Sequence, residues 1–137
     1  ICPRLHDKKC EKVIYYEKKH YLCLILLTPY PPFNSYMLIY NTTYTVTLPE
    51  ARNFVIWIKE NFFPQIAEDG TLSEPKLLRI LSHHDEETEC FSVQFKVESS
   101  AQLHQWYMKQ GQKLTQEMEK LFEKRIVGFS TLMEEID

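Results

Sequence analysis

The sequence predicts one α+β domain, in which a four-stranded antiparallel sheet carries two helices on one face in the order βαββαβ. Two segments rich in β-forming residues, at 38–47 and 90–97, indicate strands, and two others carry apolar residues at helical spacing. The chain has 137 residues, of which 44% are hydrophobic, and this is enough for one domain with its own core.

The first strand and the first helix follow from residue types and their spacing. Strand one covers residues 38–47, where the even-numbered side chains share one face and neither face is plainly apolar. We therefore expect partial cover on both sides of this strand. Helix one covers residues 49–63, because Pro49 suits a first helical turn and an apolar stripe follows it. Pro64 is expected to break or kink the helix, and a final turn then stops at Gly70.

The middle of the sequence predicts a β-hairpin. Strand two covers residues 76–81 and strand three covers residues 90–97, with a polar turn at 83–87 between them. In strand three, phenylalanine and valine alternate strictly with polar residues. This alternation is typical of an antiparallel strand that buries one face and leaves the other exposed.

The last part of the sequence predicts a long helix and a closing strand. Ser99 opens a capping box with Gln102, and the helix extends to about residue 124. Gly111, in its middle, is expected to loosen it into two segments. Strand four covers residues 125–133 and completes the ferredoxin-like order of elements.

Residues 1–36 differ in character from the domain, which we predict at residues 37–137. They begin without a methionine, and no small-residue cleavage site follows their short apolar run at 21–27. We interpret them as an N-terminal extension that lies upstream of a true start at Met37. The alternative is a disordered extension, which two adjacent prolines would separate from the sheet.

The charge balance and the cysteines limit the partners and the compartment. A formal net charge of -3 provides no basic footprint for nucleic acid or an anionic membrane, and no apolar run approaches the roughly 20 residues of a spanning helix. The four cysteines include no CxxC pair, so we predict reduced thiols in a cytoplasmic protein, with Cys90 a buried inert thiol. Pairing among the three N-terminal cysteines is the alternative if that segment is exported.

The sequence contains no recognisable motif for a cofactor or a metal. With 3 glycines in all, a phosphate-binding loop is excluded, and neither GxSxG nor HExxH occurs. His83 and His84 precede four acidic residues, but adjacent side chains on an extended turn point to opposite sides. We therefore predict a solvated hairpin tip there, no metal site and no cofactor.

Several short segments of the predicted domain have the order and spacing of a known family. They are Ile39-Tyr40-Asn41-Thr42-Thr43, Phe63-Pro64, Gly70, Leu78-Arg79-Ile80-Leu81, Val93-Gln94-Phe95, Val127-Gly128-Phe129 and Leu132-Met133-Glu134. Together they resemble the bacterial family of unknown function DUF4286. The resemblance covers residues 37–137 and does not extend to residues 1–36.

The resemblance implies a fold related to the dimeric α+β barrels, and hence a homodimer in which two sheets pair across a twofold axis. In that superfamily a cleft between the sheet and the helices can hold small organic ligands or haem, although this family has no established activity to carry over. Fold alone does not define function. The residues expected to line such a cleft here, as ligand-binding candidates, are Tyr40, Asn41, Tyr44, Phe62, Trp106 and Gln110.

Departures from the relatives weigh against catalysis. Haem-degrading relatives share an asparagine on the first strand with Asn41, but strand three has Phe95 in place of their tryptophan, and no histidine follows His104. Family members carry histidines at the end of helix one and in helix two, where this chain has Phe62 and Gln110. General acid–base chemistry near neutral pH therefore has no obvious agent.

Three hypotheses remain at this point. The first is a dimeric ligand-binding or interaction module without catalysis. The second is a cofactor-independent monooxygenase-like or isomerase-like enzyme, in which Asn41 orients the substrate and Tyr44 or Tyr107 supplies a hydroxyl. The third treats the aromatic residues, Trp106 in particular, purely as a dimer interface.

Overall fold

The computed structural model describes residues 37–136 as one antiparallel sheet with two long helices. The segment 1–36, interpreted above as an extension, and the terminal Asp137 lie outside the described residues. The strand order is β2-β3-β1-β4, which confirms the ferredoxin-like α+β prediction. The strands are β1 (Leu38–Thr47), β2 (Ser73–Arg79), β3 (Thr88–Val97) and β4 (Ile126–Glu134); helix α1 spans residues 51–69 and helix α2 spans residues 100–122.

The core lies between the sheet and both helices. The predicted alternation of β3 is confirmed, because Phe91, Val93, Phe95 and Val97 are all buried in this core. On β1 the even-numbered side chains point the same way, with Tyr40 and Val46 in the core and Tyr44 packed against it. Further buried residues come from the helices: Phe54, Ile58, Phe62 and Ile66 of α1, and Leu103, Trp106, Tyr107, Leu114, Met118 and Phe122 of α2.

Helix α1 continues through Pro64 without a break, and the predicted disturbance of its hydrogen-bond ladder takes the form of a wider turn just before the proline. Residues Ile58–Phe62 form a π-helical turn, in which the Phe63 N–H donates to the Ile58 carbonyl five residues back. Such a wide turn changes the hydrogen-bond register and tolerates a residue that cannot donate. The helix then runs on to Asp69 and ends at Gly70, as predicted, with φ at 77° and the Gly70 N–H bonded to Ile66.

Helix α2 also contains a π-helical turn, Tyr107–Gly111, where the sequence predicts an interruption at Gly111. A Cβ atom at position 111 would lie 2.5 Å from Trp106 Cζ3, so the glycine leaves room for the indole against the helix backbone. Ser99 caps the helix as predicted by accepting the Gln102 N–H at 3.1 Å. The Gln102 side chain, however, donates to Glu98 at 2.9 Å and does not complete the capping box.

The ends of several elements differ from prediction by one to three residues, and local backbone geometry explains two of these differences. Strand β2 extends back to Ser73 through a bulge. Glu74 adopts a φ of 49° there, and the pairing with β3 shifts between Ser73 and Lys76. Helix α2 ends at Phe122, since Glu123 adopts a φ of 52° and turns the chain into β4.

Candidate functional site

The six predicted site residues lie on two opposite sides of the sheet. Five of them lie on the side of the sheet that carries the helices, and these are Tyr40, Tyr44, Phe62, Trp106 and Gln110. Asn41 lies on the other side, because neighbouring residues of a strand alternate between faces. The structure therefore brings five of the predicted residues to one side of the sheet and separates Asn41 from them.

On the helix side, the site candidates are packed against one another and against the core. The rings of Tyr40 and Trp106 meet edge to face with centroids 6.3 Å apart. The Trp106 indole N–H donates to Gln110 Oε1 at 3.2 Å, and Gln110 Nε2 donates to the Gln65 carbonyl at 2.8 Å. Gln110 thus ties α2 to α1, and both ends of its amide are engaged within the protein.

The hydroxyls of Tyr40 and Tyr44, two of the tyrosines on this side, resist ionisation. Burial raises the pKa of both Tyr40 and Tyr44 above the usual value, despite nearby hydroxyls that lower it. Both groups are therefore neutral phenols throughout the physiological range. The Tyr40 hydroxyl lies 3.3 Å from Ser130 Oγ, which is 2.9 Å from Thr42 Oγ1. This local chain of hydroxyls satisfies polar atoms beside the core.

We call the other side of the sheet the open face. It consists of the odd-numbered residues of β1 and β4, the even-numbered residues of β3, and Lys76 and Leu78 of β2. None of these side chains belongs to the core between the sheet and the helices.

A polar network occupies the centre of the open face. Ser92 Oγ donates to Asn41 Oδ1 at 2.5 Å, and Asn41 Nδ2 donates to Thr43 Oγ1 at 3.2 Å and to Thr131 Oγ1 at 3.3 Å. Gln94 Nε2 in turn donates to Ser92 Oγ at 3.1 Å. Because the network joins β3, β1 and β4, Asn41 is only 8% exposed although no helix covers it.

Apolar side chains flank this polar centre on both outer strands. Leu78 on β2 is 46% exposed, and Val127, Phe129 and Met133 on β4 are also exposed. The sequence analysis did not identify these residues as functional. The alternation of Val127, Phe129 and Met133 in β4 was a usable signal, because it places three apolar side chains on one face of the strand.

A shallow cavity of about 260 Å³ lies where β2 and β3 meet the hairpin turn. At this turn Asp85 accepts hydrogen bonds from the Glu87 N–H and the Thr88 hydroxyl, which hold the pKa of Asp85 below its usual value. His83 Nε2 bonds Thr88 Oγ1 at 2.7 Å. Among residues 37–136 no group of three potential metal ligands is arranged to hold an ion.

The sheet order, the helices on one face and the open face opposite define a small α+β protein of the ferredoxin-like type. Within this class, the family model described as Domain of unknown function (DUF4286) matches residues 37–136, and the chain belongs to this family. No curated protein matches the chain. In the described part of the chain, no helix is both long and apolar enough to cross a membrane.

Replacing Asn41 with alanine is expected to lower the free energy of unfolding by about 1–2 kcal/mol, since the buried Ser92 hydroxyl loses its acceptor. Urea denaturation measures this change. Asn53→Ala is the matched control, because Asn53 is exposed and bonds only Glu50. We expect the control to change stability by less than about 0.5 kcal/mol. Equal effects of the two substitutions would contradict a structural role for the network.

Proposed function

We propose that this domain is an interaction module that forms a homodimer by packing the open faces of two sheets together, without catalysis of its own. The observation that carries this proposal is the exposure of apolar side chains on both sides of a satisfied polar centre. Exposed apolar patches of this kind mark interaction sites on globular domains. A fully solvated sheet face would favour polar residues throughout.

The size of the open face supports a stable interface. The longest strands, β1 and β3, have 10 residues each. With a rise of about 3.3 Å per residue and a strand spacing of about 4.8 Å, four strands present roughly 600 Å² in projection. Because side chains protrude from the sheet, the accessible area of this face is larger than its projected area. Stable interfaces bury about 800 Å² per partner. Packing one sheet on another therefore satisfies the usual requirement for a specific dimer.

The distribution of side chains favours a second copy as the partner. Leu78 lies on one outer strand, and Phe129 and Met133 lie on the other, with the polar network between them. A twofold axis that runs parallel to the strands through the centre of the interface places Leu78 of each copy over β4 of the other. It also places the two polar centres against each other. Lys96, a charged group on this face, is already paired with Glu74 at 2.9 Å.

Binding of a small organic ligand on the helix side stays a prediction. The candidates there are Tyr40, Tyr44, Phe62, Trp106 and Gln110, and all of them already contact other protein groups. A ligand between the sheet and the helices would have to displace some of these contacts. The monooxygenase-like or isomerase-like alternative stays a hypothesis, and burial raises the pKa of Tyr44, one of its two candidate hydroxyls, above the usual value. The cytoplasmic location likewise stays a prediction.

The homodimer is tested by a matched pair of leucine substitutions in the full chain. Leu78→Arg places a charge on the open face, whereas Leu121→Arg places the same charge on the outer surface of α2. The two leucines are 46% and 50% exposed, respectively. We expect Leu78→Arg to raise the dissociation constant of the dimer about thirtyfold, which corresponds to about 2 kcal/mol. Leu121→Arg should leave it unchanged.

Native mass spectrometry across a dilution series measures both species and also detects any bound small molecule. A reproducible extra mass on the wild-type dimer would support the helix-side ligand site. Equal dissociation constants for the two variants would contradict pairing through the open face, as would a wild-type chain that stays monomeric at every concentration.

A further inference from the structure

The two edges of the sheet differ in how well they resist pairing with another strand. Edge strand β2 carries the features that prevent such pairing in natural sheets. Pro75 lacks a backbone N–H, Glu74 has a φ of 49°, and the register shifts between Ser73 and Lys76. The strand also carries the charges of Glu74, Lys76 and Arg79. This edge is protected against strand addition.

Edge strand β4 carries none of these features. Its nine residues, Ile126–Glu134, contain no proline and no charged residue before Glu134. Each of the nine is paired with a residue of β1. Within residues 37–136 the opposite edge of β4 has no strand beside it. A long, regular and largely apolar edge presents a row of backbone donors and acceptors that another strand can use.

The charges that flank β4 point to one particular occupant. The exposed Lys124 precedes the strand in a turn that also contains Glu123, while Glu134 is the last residue of the strand and Glu135 follows it. Neighbouring Arg125 is occupied by Glu50 at 2.7 Å, which leaves Lys124 as the basic side chain nearest the start. When two such strands pair antiparallel, Lys124 of each lies beside the carboxylates at the end of the other.

We propose that the β4 edge binds the β4 edge of a second copy in antiparallel orientation, so that two four-stranded sheets become one continuous sheet of eight strands. The charge pattern selects the register in which Lys124 of each copy lies opposite Glu134 of the other. In that register Phe129 lies opposite Phe129 of the other copy, and Ile126 lies opposite Leu132 of the other copy. A shift by two residues would instead place Glu134 opposite the apolar Ile126.

This edge pairing is distinct from the packing of open faces and does not depend on it. The open face buries side chains over the area of four strands, whereas the edge joins one strand to one strand mainly through backbone hydrogen bonds. We therefore expect the edge contact to be the weaker of the two. In the wild-type chain, raising the concentration should convert dimers joined by their open faces into species of four copies and more, because each such dimer has two free β4 edges.

The test uses charge exchange in the full chain, in a Leu78→Arg background that weakens pairing through the open face. In this background Lys124→Glu makes both ends of β4 acidic, and Glu134→Lys exchanges the acidic end of the strand for a basic one. Leu78→Arg alone should still form pairs at raised concentration. Each added charge variant should reduce pairing at least tenfold, and an equimolar mixture of the two should restore it as mixed pairs. One of the two variants is labelled with ¹⁵N, so that native mass spectrometry distinguishes mixed pairs by mass. Far-ultraviolet circular dichroism checks that each variant folds.

Failure of this proposal is distinguishable from failure of the open-face dimer. If Leu78→Arg associates like the wild type, the open-face dimer fails, whereas the edge proposal depends only on the response to the charge changes at 124 and 134. If neither charge variant weakens pairing, or if the mixture forms no mixed pairs, the β4 edge does not bind a second copy. The proposal would also be overturned if pairing persists in both charge variants and the chain binds an extended peptide from another protein.

Discussion

Replacing Phe54 with alanine is expected to lower the free energy of unfolding by about 3–5 kcal/mol, the usual range for a phenylalanine truncated in a core. Phe54 of α1 is 0% exposed and lies at the centre of an aromatic cluster. Its ring centroid is 5.2 Å from that of Tyr44, 5.4 Å from that of Phe91 and 5.9 Å from that of Phe122. The substitution therefore removes contacts between α1, β1, β3 and α2 at one point.

The measurement is equilibrium denaturation in urea, followed by circular dichroism. Ile56→Ala is the control on the same helix, since Ile56 is 41% exposed, and we expect it to cost less than about 1 kcal/mol. A loss at Phe54 no larger than the loss at Ile56 would mean that α1 does not bury the face described here. If Phe54→Ala does not fold at all, Phe54→Leu keeps most of the volume and allows the comparison.

Replacing Gly128 with valine is expected to cost about 3 kcal/mol, at the upper end of the range for an overpacked site. Gly128 lies opposite Tyr44 in the pairing of β1 with β4. A Cβ atom at position 128 would lie 2.7 Å from both Cδ1 and Cε1 of the tyrosine ring. The ring cannot move away freely, because it packs against Phe54 on its other side. A glycine in this strand thus makes room for a close aromatic neighbour.

A second substitution separates this clash from a general loss of strand stability. Tyr44→Leu removes the ring and leaves space above position 128. The double variant Tyr44→Leu/Gly128→Val should therefore be more stable than the sum of the single effects predicts, by at least about 1 kcal/mol. Thermal or urea denaturation of the four proteins completes the cycle. Additive effects would show that the tyrosine ring is not what excludes a larger residue at this position.

The order of the helices and strands was predictable because it depends on local periodicity. The strict alternation in β3 places Phe91, Val93, Phe95 and Val97 on one side, and that side became the core. The start of α2 was equally accessible, because Ser99 needs only the backbone N–H of Gln102 to act as a cap. Family membership followed from the same stretches of sequence, and the match over residues 37–136 confirms it.

The candidate site was less predictable because it depends on which face of the sheet is covered. Tyr40 and Asn41 are adjacent in sequence, yet Tyr40 lies in the core and Asn41 in the polar network of the open face. The sequence analysis combined them in one cleft because the resemblance implied such a cleft. Because neighbouring residues of β1 alternate between the two faces of the sheet, these two side chains cannot share a site on one side.

By itself the sequence determined the order of the elements, the buried face of β3 and the end of α1 at Gly70, because each depends on neighbours within a few residues. Only the tertiary structure decided that α1 passes through Pro64, that Trp106 packs over Gly111, and that the open face combines Asn41 with Ser92 and Thr131. These features need groups that lie far apart in sequence, or a helical turn of unusual width. Periodicity tells which side chains point the same way, but packing decides which of those sides is buried.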